Sequence, residues 1–131
     1  MSLTVWLAAA VLLVLDRTTK RLVRTRLAEG QAVPLGPFRI RRLTNVRPRA
    51  GWWSLAAVAV VSLILVETGP LFHGHAARVG LGLALGGALG NVIDVRRGGV
   101  LDFVDLRVWP VFNLADAGIV LGAGMVLWNV G

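Results

Sequence analysis

The chain of 131 residues contains no cysteine. That removes a disulfide framework, a thiol nucleophile and a zinc-thiolate site together. Its two histidines form one H-x-H pair, His73 and His75, with no third ligand at a recognisable spacing. No metal site is therefore expected. A Ser-His-Asp set and a glycine-rich phosphate loop are also missing. Acidic residues are scarce, seven against 14 Lys and Arg, for a formal charge of +7. No basic segment precedes the first apolar run, and no small-x-small site follows it, so that run reads as a retained helix rather than a cleaved leader.

What is abundant is apolar surface. Hydrophobic residues make up 56% of the chain, with mean hydropathy +0.71. About 45–50% is usual for a soluble domain. In so apolar a chain the excess of basic residues points to anionic lipid headgroups, not to nucleic acid. The length fits one integral membrane domain over residues 1–131.

Long apolar runs mark four spans at about 3–20, 52–68, 76–94 and 111–130. Trp6, Trp52, Trp53, Trp109 and Trp128 stand near run ends, as in an interfacial belt. Lipid offers no partner to an open backbone, so each span should be helical. Glycines at 80, 82, 86, 87 and 90 would let helices approach closely. Between the first two spans, "AVPLGPFRIRRLTNVR" has turn residues and then alternating apolar and basic positions. It reads as a small β element. Between the last two, "VLDFVDLRV" is a candidate extended segment. The expected fold is an all-α membrane protein: four transmembrane helices with a small β-rich platform in the helix 1–2 connection.

Carboxylates and amides stand at the ends of these greasy segments. Residues i and i+3 share a helix face, so Asn91 pairs with Asp94, and Asn113 with Asp116. Antiparallel third and fourth spans would bring both pairs to one membrane face, with Asp102 in the connection between them. Asp16 and Lys20, one turn apart, would end the first span on the same side. Ionisable residues in a span are costly and mark a functional site by default. Two close carboxylates resist ionising together, so one can act as base on water while the other donates a proton. Other readings stay open on the residues alone. Asp94 and Asp102 could pair with Arg96, Arg97 or Arg107 at headgroup level, with Asp105 of the same kind. Asn113 could simply cap a helix. A proton or ion pathway would also use carboxylates, although polar residues along the whole depth would then be expected.

Four motifs carry a resemblance: "DRTTK" at 16–20, "GNVID" at 90–94, "GGVLDF" at 98–103 and "FNLAD" at 112–116. In order and placement the chain resembles the bacterial lipoprotein signal peptidases (signal peptidase II). These are four-helix membrane aspartic endopeptidases that cut prolipoproteins before a diacylglyceryl-modified cysteine. The resemblance implies that Asp102 and Asp116 are the catalytic pair. It implies that Asn91 and Asn113 support them, that Asp94 sits in a structural turn, and that Asp16 and Lys20 face the site. It further implies no cofactor, a monomer, and a multi-pass location in the bacterial inner membrane with the site near the outer face. The partners would be diacylglyceryl-modified prolipoproteins and membrane lipids, anionic ones included, with no nucleic acid.

Three departures stand out. Val95 occupies the place where the family has an Arg, so either Arg96 or Arg97 substitutes or that contact is lost. Pro48 and Ala50 replace an Asn and a Gly of the family's substrate-side segment. Of the 14 Lys and Arg, all but Arg78 lie in or beside the first and third connections, which opposes the family's orientation by charge counting. The alternatives are a weak or silent relative that binds lipidated peptide, and a small proton-linked transporter.

Overall fold

The computed structural model describes residues 3–45 and 74–128. Helix α1 runs Leu3–Arg26, α2 His75–Arg96 and α3 Leu114–Trp128. Strands β1 (Ala32–Leu35) and β2 (Phe38–Asn45) follow α1, and β3 (Val100–Asp105) lies between α2 and α3. The expected second span, with Pro48, Ala50, Trp52 and Trp53, lies outside the described residues.

The pattern of α1 is a stripe. Val5, Leu12, Asp16, Lys20 and Val23 are buried at helical spacing, while Trp6, Leu7, Val11, Val14 and Leu15 are exposed. An apolar outer face with polar groups turned inward is the arrangement a lipid environment favours. Among the described residues, α2 is the helix long and apolar enough to cross a membrane; α3 is apolar but has 15 residues.

Glycine decides how tightly α2 is held. A Cβ built on Gly82 would lie 2.5 Å from the Val5 carbonyl oxygen on α1, and one on Gly80 would lie 2.5 Å from the Gly122 carbonyl oxygen on α3. Either side chain would force the helices apart, so the small residues set the packing distance. These contacts also fix direction. Going along α2, Gly82 meets Val5 and Gly86 meets Ala9, so α1 runs parallel to it. Gly80 meets Gly122 while Gly87 meets Ala115, so α3 runs antiparallel. The end of α1, the end of α2 and the start of α3 therefore share one end of the bundle.

A three-stranded antiparallel sheet in the order β1-β2-β3 covers that end. Gly36, at φ +63, closes the β1–β2 hairpin with Pro37. The pairing of β2 with β3 sets Leu43 opposite Asp102 and Thr44 opposite Leu101, with an irregularity between Ile40 and Leu43. The platform is thus not confined to the helix 1–2 connection. Its third strand comes from the later connection, and the fold is mostly helical with a small antiparallel sheet. The physical reason is alternation in "VLDFVD". Leu101 and Phe103 pack with Val23 of α1, so the opposite side of the strand carries Asp102.

Candidate active site

The first turn of α3 fixes one carboxylate. Asn113 precedes the helix, and its Oδ1 accepts the Asp116 backbone N–H at 2.9 Å. Asp116 Oδ2 accepts the Asn113 backbone N–H at 3.1 Å. This reciprocal pair is a capping box with Asn and Asp in the two roles. It satisfies two backbone donors and aims Asp116 at the same time.

Asparagine amides link the rest. Asn91, on the last turns of α2, donates Nδ2 to Asp116 Oδ1 at 2.7 Å. Its Oδ1 accepts from Lys20 Nζ at 3.2 Å and from Asn113 Nδ2 at 3.1 Å. Asn113 Nδ2 also donates to Asp102 Oδ1 at 3.1 Å. The two asparagines are fully buried and join Asp102 and Asp116 in one network. Burial, and then the charge of Asp116, push the Asp102 carboxyl up to about 7; Lys20 and the Asn113 hydrogen bond act against them. Among the described residues neither Asp102 nor Asp116 forms an ion pair.

Below them lies a charge-balanced set. Lys20 Nζ reaches Asp16 Oδ1 at 2.8 Å and Asp94 Oδ2 at 2.6 Å, and all three side chains are buried. Arg17 bridges the same two carboxylates, each at 2.9 Å, and donates to the Gly90 carbonyl oxygen at 3.0 Å. Two cations meet two anions, which is the condition for tolerating charge in a low-dielectric interior. Gly90 has a local reason to be glycine: a Cβ there would collide with the Asp16 carboxylate.

Asp16, Lys20, Asn91, Asp94, Asp102, Asn113 and Asp116 are therefore brought together. Arg96 is not. It is exposed at the end of α2, and the guanidinium expected from Arg96 or Arg97 at Asp94 is supplied from α1 by Arg17. Sequence reasoning passed over Arg17. The available signal was its place inside "DRTTK", beside Asp16 on the helix that faces α2. Asp105 is a structural ion-pair residue, as expected, but its partner is Arg39 of β2, with the Arg107 backbone N–H as a second donor.

Comparison with known proteins follows the same lines. A family model described as "Signal peptidase (SPase) II" matches residues 8–130. A lipoprotein signal peptidase of Pelotomaculum thermopropionicum is 37% identical over 130 residues, covering 91% of this chain and 86% of its own. One from Moorella thermoacetica is 38% identical, with 95% and 90% covered. A solved bacterial membrane enzyme, determined by the in meso method at 2.3 Å resolution, superposes with a TM-score of 0.77. It covers 95% of this chain and 85% of that one, and at 24% identity it speaks for the fold alone.

Proposed function

The chain belongs to the signal peptidase II family, and from that premise we propose that it is an aspartic endopeptidase of the bacterial inner membrane. It removes the signal peptide from prolipoproteins, cutting before a diacylglyceryl-modified cysteine. Four spans, about 3–20, 52–68, 76–94 and 111–130, hold the polar end of the bundle at the outer face. The observation that carries this reading is the pair Asp102 and Asp116, tied through Asn91 and Asn113 and without an ion pair among the described residues.

The chemistry follows from that pair. Asp102 holds a proton near neutral pH, because its carboxyl is pushed up to about 7. Asp116, with both oxygens accepting hydrogen bonds, is the base. It takes a proton from water as the water oxygen attacks the scissile carbonyl carbon. Asp102 gives its proton to the carbonyl oxygen. The tetrahedral diol then collapses. Asp116 passes its proton to the departing nitrogen, and Asp102 recovers one from a hydroxyl as the C=O re-forms. The products are a signal peptide with a free carboxyl end and a lipidated cysteine with a free amine. The dyad returns to its starting state, and no metal or covalent intermediate is needed.

Lys20 and Asn91 are positioning residues. The Lys20 ammonium holds Asn91 Oδ1, which forces the Asn91 amide nitrogen toward Asp116. A proton pathway would carry polar groups through the depth of the bundle. Here, among the described residues, Ala84 and Ile119 fill the middle, and Val5, Leu81 and Val126 the end away from the aspartates.

The test is incubation of the purified protein in detergent with a diacylglyceryl-modified prolipoprotein and with the same precursor carrying Cys→Ser at the modified position. Cleavage of the first alone is expected. No cleavage of either, across several lipidated precursors, would leave a relative that binds without cutting. Equal cleavage of both would overturn the lipid requirement.

A further inference from the structure

The two halves of β2 pair differently with β3. Arg39 stands opposite Asp105 and Ile40 opposite Val104; further on, Leu43 stands opposite Asp102 and Thr44 opposite Leu101. Between those rungs β2 has two residues, Arg41 and Arg42, and β3 has one, Phe103. That is the count of a β-bulge, a feature that re-aims side chains and is common beside active sites. Without the extra residue, the first rungs would continue to Arg41 opposite Phe103 and Arg42 opposite Asp102. A one-residue shift in register changes which side chains meet along the rest of the strand. What an arginine does opposite an aspartate on this sheet is visible at the other end of β3, where Arg39 takes Asp105 as an ion pair.

Arg42 has other partners. Its backbone N–H donates to the Gln31 carbonyl oxygen at 3.0 Å, and its own carbonyl oxygen accepts the Gly30 N–H at 2.7 Å. Its Nη1 donates to the carbonyl oxygens of Arg24 and Leu27 at 3.1 and 2.8 Å, at the end of α1, where a helix leaves its last carbonyls unpaired. Glu29 lies 3.4 Å from the Arg42 Nε and also accepts the Thr44 backbone N–H and hydroxyl, at 2.7 and 2.9 Å. Arg42 and Thr44 are thus tied to the end of α1 and the turn after it. Leu43, between them, is left on the face of Asp102, because directly opposed residues of an antiparallel pair share a face, with Cβ atoms about 4.5–5.5 Å apart. We infer that the β2 bulge is a positioning device that keeps a guanidinium off the acid: it sets Leu43, in place of Arg42, opposite Asp102, and the end of α1 holds Arg42 aside. The inference deepens the peptidase reading and rests on it, since it takes Asp102 as the proton donor. The other groups that act on Asp102 are Asp116 of α3, Lys20 of α1, Asp94 of α2 and the Asn113 amide. A further cation on β2 would tip that balance toward the carboxylate.

The test reads Asp102 directly, by titrating the carboxyl carbon NMR signals of the aspartate-labelled full chain in detergent, with Asp102→Asn to assign the signal. In wild type the midpoint should lie at about 7. Leu43→Arg sets a guanidinium opposite the acid and should lower the midpoint by about one to three pH units. Cleavage of a lipidated precursor near neutral pH should fall with it. Leu43→Gln changes polarity without adding charge and should titrate close to wild type. A midpoint that Leu43→Arg leaves unmoved, or that Leu43→Gln lowers as far, would overturn the inference. Arg42→Gln serves where Leu43→Arg does not fold. With Arg42 already held aside, its loss should leave Asp102 titrating no higher than in wild type; a rise would place Arg42 on the acid and overturn the inference. A midpoint lowered by Leu43→Arg with cleavage unchanged would uphold the placement of Leu43 and contradict Asp102 as the proton donor, so the two failures are told apart.

Discussion

Asp102 and Asp105 lie on the same short strand and have opposite surroundings. Asp105 is taken by the Arg39 guanidinium, with the Arg107 N–H as a second donor, and its carboxyl is held below the usual range. Asp102 has an asparagine amide where Asp105 has a cation. Burial and the facing Asp116 raise it to about 7. One strand thus carries a carboxylate that ties the sheet together and another that burial and a facing carboxylate keep from ionising readily, as the proposed acid requires. The difference is in the partner supplied, since the residue type is the same. A buried aspartate with a guanidinium is committed; one held by amides is available.

That contrast can be broken in order of expected effect. Asp116→Asn removes the proposed base and keeps one of its two acceptor positions, its NH2 facing a donor at the other, and cleavage of a lipidated precursor should fall a thousandfold or so. Far-UV circular dichroism should stay close to wild type, with only a small drop in unfolding temperature. Lys20→Met leaves Asp16 and Asp94 with Arg17 as their remaining cation. Stranding buried charge costs roughly 3–5 kcal/mol, so a large drop in unfolding temperature in detergent is expected. Gly90→Ala drives a methyl into the Asp16 carboxylate and should cost roughly 1–3 kcal/mol in the same measurement. The smallest effect is on the pH profile. Asp102 must be protonated to donate, and its protonated fraction falls as pH rises through about 7. The rate should therefore decline on the alkaline side of about 7, and a rate still rising there would assign the acid elsewhere.

Part of this site is legible in the sequence because helical spacing is local. Asn113 and Asp116 share a face, and the structure adds that they cap each other. Asn91 and Asp94 also share a face, yet their partners diverge: Asn91 meets Asp116, while Asp94 meets Lys20 and Arg17. Spacing says which residues point together and not what stands opposite. The glycines of α2 read correctly as close-approach positions for the same local reason. Strand β3 was legible as an extended segment, but not as a partner of β2. That register joins residues far apart in sequence, and no local pattern encodes it. Arg17 escaped for a related reason. With 14 basic residues available, the sequence does not say which one faces Asp94. The choice is made by the parallel packing of α1 on α2, which glycine contacts set.

The most direct test of the central claim is the rate of lipidated prolipoprotein cleavage by Asp102→Asn beside Asp105→Asn. With Asp102 as the acid and Asp105 as a sheet anchor, the first should lose about a thousandfold or more, and the second should stay within a few-fold of wild type. Equal losses, or an active Asp102→Asn protein, would contradict the assignment of the dyad.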